Sequence, residues 1–335
     1  MKASFFATAA YAGPRADGWP VAPGLCDRKL ASHSLRRALE SCRRADDLGF
    51  DWISVSEHHY APLMLTPNPL VMAGAVSQAT SRAKIALLGP LLPLANPVRV
   101  AEEVAMLDAL TEGRVVVLFL RGTPTEHHAY GDVSAQSRSM TQEGIQLILK
   151  AWTAEEPFSW KGEHFDFPTV SVWPRTYQTP YPPAFGSGNS DESAAFAGRH
   201  RLGMGISFAP PKIIQRWVEL YRAEAEKAGW TPGPEHIIYR GLAHVAESDA
   251  AASKAIEGRG PSFPIDPEGP LAYIARPYFL GAPATVIEQI AVLRDLGVGV
   301  IDMAFASGVG AIDYEQQVDV VNQFAEEVLP TIQAW

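Results

Sequence analysis

"NPVRVAEEVAMLDALTEGRVVVLFL", residues 96–120, is the stretch whose reading decides the fold. Asn96 is an N-cap type, Pro97 suits the first helical position where its missing N–H goes unnoticed, and Gly113 stands where a helix stops. The run "RVVVLFL" that follows is apolar without alternation, as expected of a strand covered on both faces. A helix that stops at a glycine and feeds a doubly buried strand is the return half of a parallel strand–helix–strand unit.

The same grammar recurs on both sides. In "SHSLRRALESCRRADDLG" (32–49), Leu35, Ala38, Leu39, Cys42, Ala45 and Leu48 fall at helical spacing, Gly49 caps, and "FDWISVS" follows as a strand. Near the other end, "PATVIEQIAVLRDLG" (283–297) leads through Gly297 into "VGVIDMAF". Strands are expected near 2–9, 52–57, 84–91, 114–121, 183–188, 203–209, 237–246 and 299–306, with helices between nearly all of them. Such alternation specifies the α/β class, and eight units specify a closed (β/α)8 TIM barrel; an open doubly wound sheet is the alternative. No break in composition divides the chain, so residues 1–335 read as one domain. Residues 11–31, 155–182 and 258–282, rich in Pro, Gly or aromatics, read as insertion loops at the C-terminal face of the strands, where barrel enzymes build lids and pocket walls.

Composition narrows the partners. Apolar residues make up 47% of the chain, enough for a large core, and mean hydropathy is near zero. Asp plus Glu exceeds Lys plus Arg by nine and no basic stripe stands out, which argues against nucleic acid and an anionic membrane. No run approaches the roughly 18 apolar residues of a membrane span. "MKASFFATAAYAG" has one Lys and an apolar run broken by Ser4 and Thr8, so it reads as a first strand and not a signal peptide. Cys26 and Cys42 form neither a disulfide framework nor a zinc pattern, which fits reduced thiols in the cytoplasm.

Four features carry chemistry. Glu57-His58-His59 ends the second strand, at the barrel end where active sites form. Adjacent strand residues face opposite ways, so one histidine alone enters the mouth, which disfavours joint chelation and favours acid–base work near neutrality. The tripeptide recurs as Glu126-His127-His128. Arg121 leaves an otherwise apolar strand at the mouth and requires an anion: a phosphate, a carboxylate, or a neighbouring Asp or Glu. "AFGSGNSDES" is a strand, a Gly-rich turn and a helix start, an arrangement that favours phosphate; it is none of the dinucleotide, P-loop or hydrolase motifs. Gly89-Pro90 interrupts an apolar strand, as a close ligand approach or a simple kink does.

The ordered set EHH (57–59), LPLANPVRVAEE (92–103), LDALTEGR (107–114) and RG (121–122), continuing through PPAFGSGNSDES, FLGAPATVIEQIAVLRDLGV and FAEEVLPTI, resembles the bacterial luciferase-like, flavin-dependent monooxygenases over almost the whole chain. The resemblance implies a TIM barrel binding reduced FMN at its C-terminal rim. By position it makes His58 the active-site histidine and Arg121 and Arg138 the phosphate arginines. Thr123, Ser187, Gly188, Asn189, Ser190 and Ser193 become cofactor contacts, and Leu88-Gly89 a cis peptide beside the flavin ring. Glu126-His127-His128 falls in a loop whose matching features are an acidic residue and Tyr130-Gly131, so its likeness to the first tripeptide reads as coincidence, with His127 a candidate for the pocket wall. Leu120 stands where luciferases have a reactive cysteine, which argues against light emission. The implied chemistry is FMNH2- and O2-dependent oxygenation of a small apolar substrate through a C4a-peroxyflavin, with a separate NAD(P)H:flavin reductase and a homodimeric assembly. An F420-dependent oxidoreductase, a non-catalytic luciferase-like subunit and a metal-dependent barrel hydrolase are the alternatives.

Overall fold

The computed structural model describes residues 1–14, 19–60, 64–131, 133–257, 279–305 and 314–335. Its central feature is a parallel barrel of β1 (Lys2–Phe6), β2 (Trp52–Ser56), β3 (Lys84–Leu91), β4 (Val115–Leu120), β7 (Ala184–Ser187), β8 (Gly203–Ser207), β9 (Ile237–Val245) and β11 (Val300–Phe305). The order β9-β11-β1-β2-β3-β4-β7-β8 is closed by β8 pairing back onto β9, Met204 opposite Ile237. A short strand, β10 (Phe279–Gly281), pairs with the far end of β9, Phe279 opposite Ala243. All eight strands expected from sequence are present, and closure excludes the open sheet.

The helices follow the caps read from sequence. The Asn96 side chain accepts from the N–H groups of Val98 and Arg99, and α3 (Pro97–Leu110) runs to Gly113, whose φ of +88° ends it. The outer core lies between strands and helices. Phe5, Phe50, Phe305 and Phe324 form its aromatic centre, with ring centroids 5.3–5.9 Å apart. The inward faces of the strands fill the lumen separately, with Trp52, Ala86, Val116, Phe185, Ile238 and Val300 at the N-terminal end.

One expectation changes. Residues 155–182 are not a lid. They connect α5 (Ser137–Thr153) to β7, hold an antiparallel hairpin of β5 (Phe158–Lys161) and β6 (Asp166–Val170), and lie at the N-terminal end of the barrel. There Gln178 donates to the buried Asp108 carboxylate and to the carbonyl of Val115, the first residue of β4. A helix-to-strand connection must run along that face, opposite the mouth. By contrast, residues 19–25 do border the mouth: Trp19 Nε1 donates to the His59 carbonyl at 3.2 Å, and Val21 N to that of Tyr60 at 3.1 Å. Most of the third segment, residues 258–278, lies outside the described residues.

Candidate active site

Alternation along β2 places Trp52, Ser54 and Ser56 in the lumen, and His58 continues that face while His59 turns away. His58 leaves 41% of its side chain accessible, and His59 is buried. His59 is fully occupied. Its Nε2 lies 2.9 Å from Glu57 Oε1, its Nδ1 lies 3.2 Å from the Tyr130 hydroxyl, and Glu57 Oε2 accepts from Leu91 N. This histidine ties the end of β2 to β3 and to the segment after β4.

His58 has a different partner. Its Nδ1 lies 3.1 Å from Glu126 Oε1. Burial alone would raise the Glu126 pKa, but the bond from His58 and two donors from Thr123 outweigh it and hold the carboxyl below the usual glutamate range. An ionised carboxylate only accepts, so the His58 Nδ1 carries the proton and Nε2 is left open toward the mouth. Sequence reasoning missed this partner: the recurrence of Glu-His-His is no coincidence at its first residue, because the second copy orients the first. The signal was present as the T-x-x-E capping box of α4 (Pro124–Ala129), formed by Thr123 and Glu126.

The box also reassigns two neighbours. The Thr123 hydroxyl lies 2.9 Å from Glu126 Oε2 and its N–H donates to the same oxygen at 2.8 Å, so Thr123 fixes the carboxylate that fixes His58. His127 is buried, with Nε2 donating to the Arg121 carbonyl at 2.7 Å and Nδ1 3.3 Å from Ser134 Oγ. It secures the turn through Gly122 and does not offer a free nitrogen to the pocket.

Arg121 emerges from β4 as expected, exposed at the rim. Partial loss of hydration and then the nearby charge of Arg138 lower its pKa, with Glu192 acting in the opposite sense. Arg138, from the first turn of α5, donates from Nη1 to Ser190 Oγ at 3.3 Å and to Ser193 Oγ at 3.4 Å. Its Nε lies 3.3 Å from Glu192. Ser190 caps α6 (Asp191–Arg199) by accepting from Ser193 N. Two guanidinium groups, two hydroxyls and a helix N-terminus therefore converge on one side of the mouth, a donor set that fits a phosphate dianion.

Two of the expected contacts serve the turn instead. The Asn189 side chain accepts from Ser207 N at 2.8 Å and donates to Ser207 O at 3.3 Å, and Gly188 N donates to Gly205 O at 2.7 Å. A Cβ at Gly188 would come within 2.3 Å of Met204 Cγ, which explains a glycine there. Ser187, half-buried, ends β7 beside them.

The cis assignment at Leu88-Gly89 is not met. Among the described residues, the cis bonds are Trp19-Pro20, Trp173-Pro174 and Thr179-Pro180. Gly89 instead takes a φ of +111°, where the register between β3 and β4 shifts between Leu88 and Leu91. A glycine reaches that conformation without a Cβ clash, so the strand bends at the mouth with a trans peptide. An added Cβ would lie 3.5 Å from Leu120 Cδ1 and 3.7 Å from Glu57 N, close enough that the backbone forms part of the wall.

The barrel agrees with the comparisons. The family described as luciferase-like monooxygenase matches residues 8–300. The chain belongs to the luciferase-like monooxygenase family. It is 29% identical over 219 residues to the alkanal monooxygenase alpha chain of Photorhabdus luminescens, covering 64% of this chain and 59% of that one. It is 24% identical over 236 residues to the oxygenase component of the flavin-dependent trigonelline monooxygenase of Acinetobacter baylyi, covering 68% and 64%. The chain thus spans roughly three fifths of the length of these curated relatives. Among solved structures, the monooxygenase RslO1 from Streptomyces bottropensis superposes with a TM-score of 0.80 over 99% of both chains at 24% identity. The FMN complex of the oxygenating constituent of 3,6-diketocamphane monooxygenase from Pseudomonas putida gives 0.77 over 98% of both at 21% identity. An F420-dependent secondary alcohol dehydrogenase gives 0.76 over 99% of this chain and 98% of that chain at 19% identity. The three share the barrel of the luciferase-like family.

Proposed function

We propose that this chain is an FMN-dependent monooxygenase, a single catalytic barrel that takes reduced FMN at the mouth and oxidises a small, largely apolar substrate. The observation that carries the reading is the pairing of an oriented histidine, His58 on Glu126, with a phosphate-type donor set, Arg121 and Arg138 with Ser190 and Ser193, on one rim. Residues 121–127 link the two, because His127 holds the Arg121 carbonyl while Glu126 holds His58.

Reduced flavin would supply the electrons that activate oxygen. The chain's own residues do the rest. Arg121, Arg138 and the two serines anchor the phosphate by charge-assisted hydrogen bonds. The bent wall at Gly89 brings backbone to the ring site. His58, with Nδ1–H committed to Glu126, presents Nε2 to accept or return a proton. The apolar side chains around the mouth limit water at the reacting centre. Reduced cofactor is delivered by a separate NAD(P)H:flavin reductase and the chain pairs as a homodimer; the relatives named as oxygenase components support the first of these.

The test is anaerobic titration with FMN, FMNH2 and F420, followed by admission of air. Preferential FMNH2 binding and a transient absorbance band on oxygenation are expected. A preference for F420 with no oxygen-dependent band would replace the monooxygenase reading with hydride transfer. His58→Ala should slow turnover at least 100-fold while changing FMN affinity less than about threefold, and equal losses in both would remove the role given to His58.

A further inference from the structure

The barrel lumen contains an ion pair that the proposed chemistry does not use. Arg240 on β9 and Asp302 on β11 lie in register and face inward. Arg240 Nε donates to Asp302 Oδ2 at 2.5 Å, and Ser54 donates to Oδ1 at 2.5 Å. The Asp302 side chain is 1% accessible and that of Arg240 14%. The guanidinium lies over the face of Phe6, its Cζ 3.6 Å from the ring centroid. Toward the mouth the lumen is lined by Phe6, Met64, Leu242 and Ala304, with Phe208 against them.

Burying such a pair is costly unless its donors and acceptors are matched. Here they are not. Of the five N–H donors of a guanidinium, those on Nε and Nη2 turn to Asp302, each nitrogen 2.5 Å from Oδ2, whereas Nη1 makes no hydrogen bond among the described residues, on a side chain that stays 14% accessible. Ser56 Oγ, on the lumen face of β2 two residues before His58, is buried without a partner. The lumen therefore has donor capacity in excess, beneath an apolar ring and beside the strand that carries the reactive histidine.

We propose that Arg240 is the substrate-anchoring residue, which binds the oxygen of a neutral acceptor group on an otherwise apolar molecule. This rests on the reading of the mouth as the flavin and substrate site. Asp302 fixes the charge of the group. It cancels Arg240, so an anionic carboxylate would meet a carboxylate within the same pair, whereas a neutral carbonyl meets a free donor without charge repulsion. Contact with the Phe6 ring on one side and Asp302 on the other holds the guanidinium in place, so the anchor also sets which end of the molecule points into the lumen.

The experiment uses the full chain and three probes of one shape: cyclooctanone, cyclooctane and cyclooctanecarboxylate. Binding is followed by calorimetry and ligand-observed NMR, with and without oxidised FMN, and the ketone C=O stretch is followed by infrared difference spectroscopy. The wild-type chain should bind the ketone at least ten times more tightly than the hydrocarbon, with the C=O band moved to lower frequency. Arg240→Met should abolish both the preference and the band shift, and Arg240→Lys should restore part of each. Should Arg240→Met not fold, the double variant Arg240→Met/Asp302→Asn removes both charges and must show the same loss. Equal binding of ketone and hydrocarbon by the wild type, tighter binding of the carboxylate, or an unshifted band would overturn the assignment. Failure to bind FMN would overturn the flavin reading alone, because the probe comparison is also run without it.

Discussion

At the scale of single residues, the decisive contact is His58 to Glu126. A histidine that donates from Nδ1 to a carboxylate has its tautomer chosen for it, and its ring is held in one orientation. Glu126→Gln keeps an acceptor oxygen and much of the α4 cap but removes the charge. Turnover should fall about 10- to 100-fold with FMN affinity unchanged, as separate titration and steady-state measurements would show. The pH dependence has a defined sign. The Glu126 carboxyl is held below the usual range, so its contribution to stability is full above the ordinary glutamate pKa and is lost as pH falls through the lowered folded value. The side-chain carboxyl carbon resonance of Glu126 should therefore keep its ionised position through the ordinary glutamate range and shift only at lower pH. Glu126→Gln should lack that acid transition, and an identical transition in the variant would assign it to another group.

At the scale of elements, the β7–α6 turn joins fold and site. Its geometry depends on Gly188, because a Cβ there would meet Met204 Cγ at 2.3 Å. Gly188→Ala should lower stability by about 1–3 kcal/mol, read from denaturant unfolding, and weaken FMN because Ser190 and Ser193 move with the turn. Arg138→Ala should weaken FMN about tenfold or more while leaving the unfolding midpoint nearly unchanged, since the exposed contact with Glu192 contributes little to folding. A midpoint that fell as far as the affinity would make Arg138 a structural residue. Such elements also show what a sequence exposes. Buried parallel strands are unbroken apolar runs, and Asn96-Pro97 and Gly113 punctuate a helix by their own chemistry, so the barrel was legible. Arg121, Arg138, Ser190 and Ser193 were legible through resemblance, and they do lie together. Glu126 was obscured because its role depends on a contact across 68 residues of chain, though its local capping box was visible. Asn189 and Gly188 look like ligands by type, but their polar groups pair with the neighbouring strand. The 155–182 segment was misplaced because composition does not say at which end of a barrel a loop lies; its position between a helix and the next strand does.

At the scale of the whole molecule, the two thiols report on barrel closure. Cys42 is fully enclosed where α1 (Arg28–Asp47) packs on the strands, and burial pushes its pKa up to about 12. Cys26 is exposed just before that helix. Thiolate is the reactive form, so the native protein should consume one equivalent of a thiol reagent at pH 8 through Cys26, and a second only when the barrel opens. The second reaction measures opening independently of any ligand. Its rate at low denaturant should fall when FMN is added, because a ligand that binds only the closed barrel stabilises it by mass action. In Arg138→Ala, the same FMN concentration should protect Cys42 less, in proportion to the lost affinity. Two equivalents consumed at once by the native chain would mean that α1 does not seal the strands as described. Protection of Cys42 by FMN that is unchanged in Arg138→Ala would remove Arg138 from the phosphate site while leaving the barrel intact.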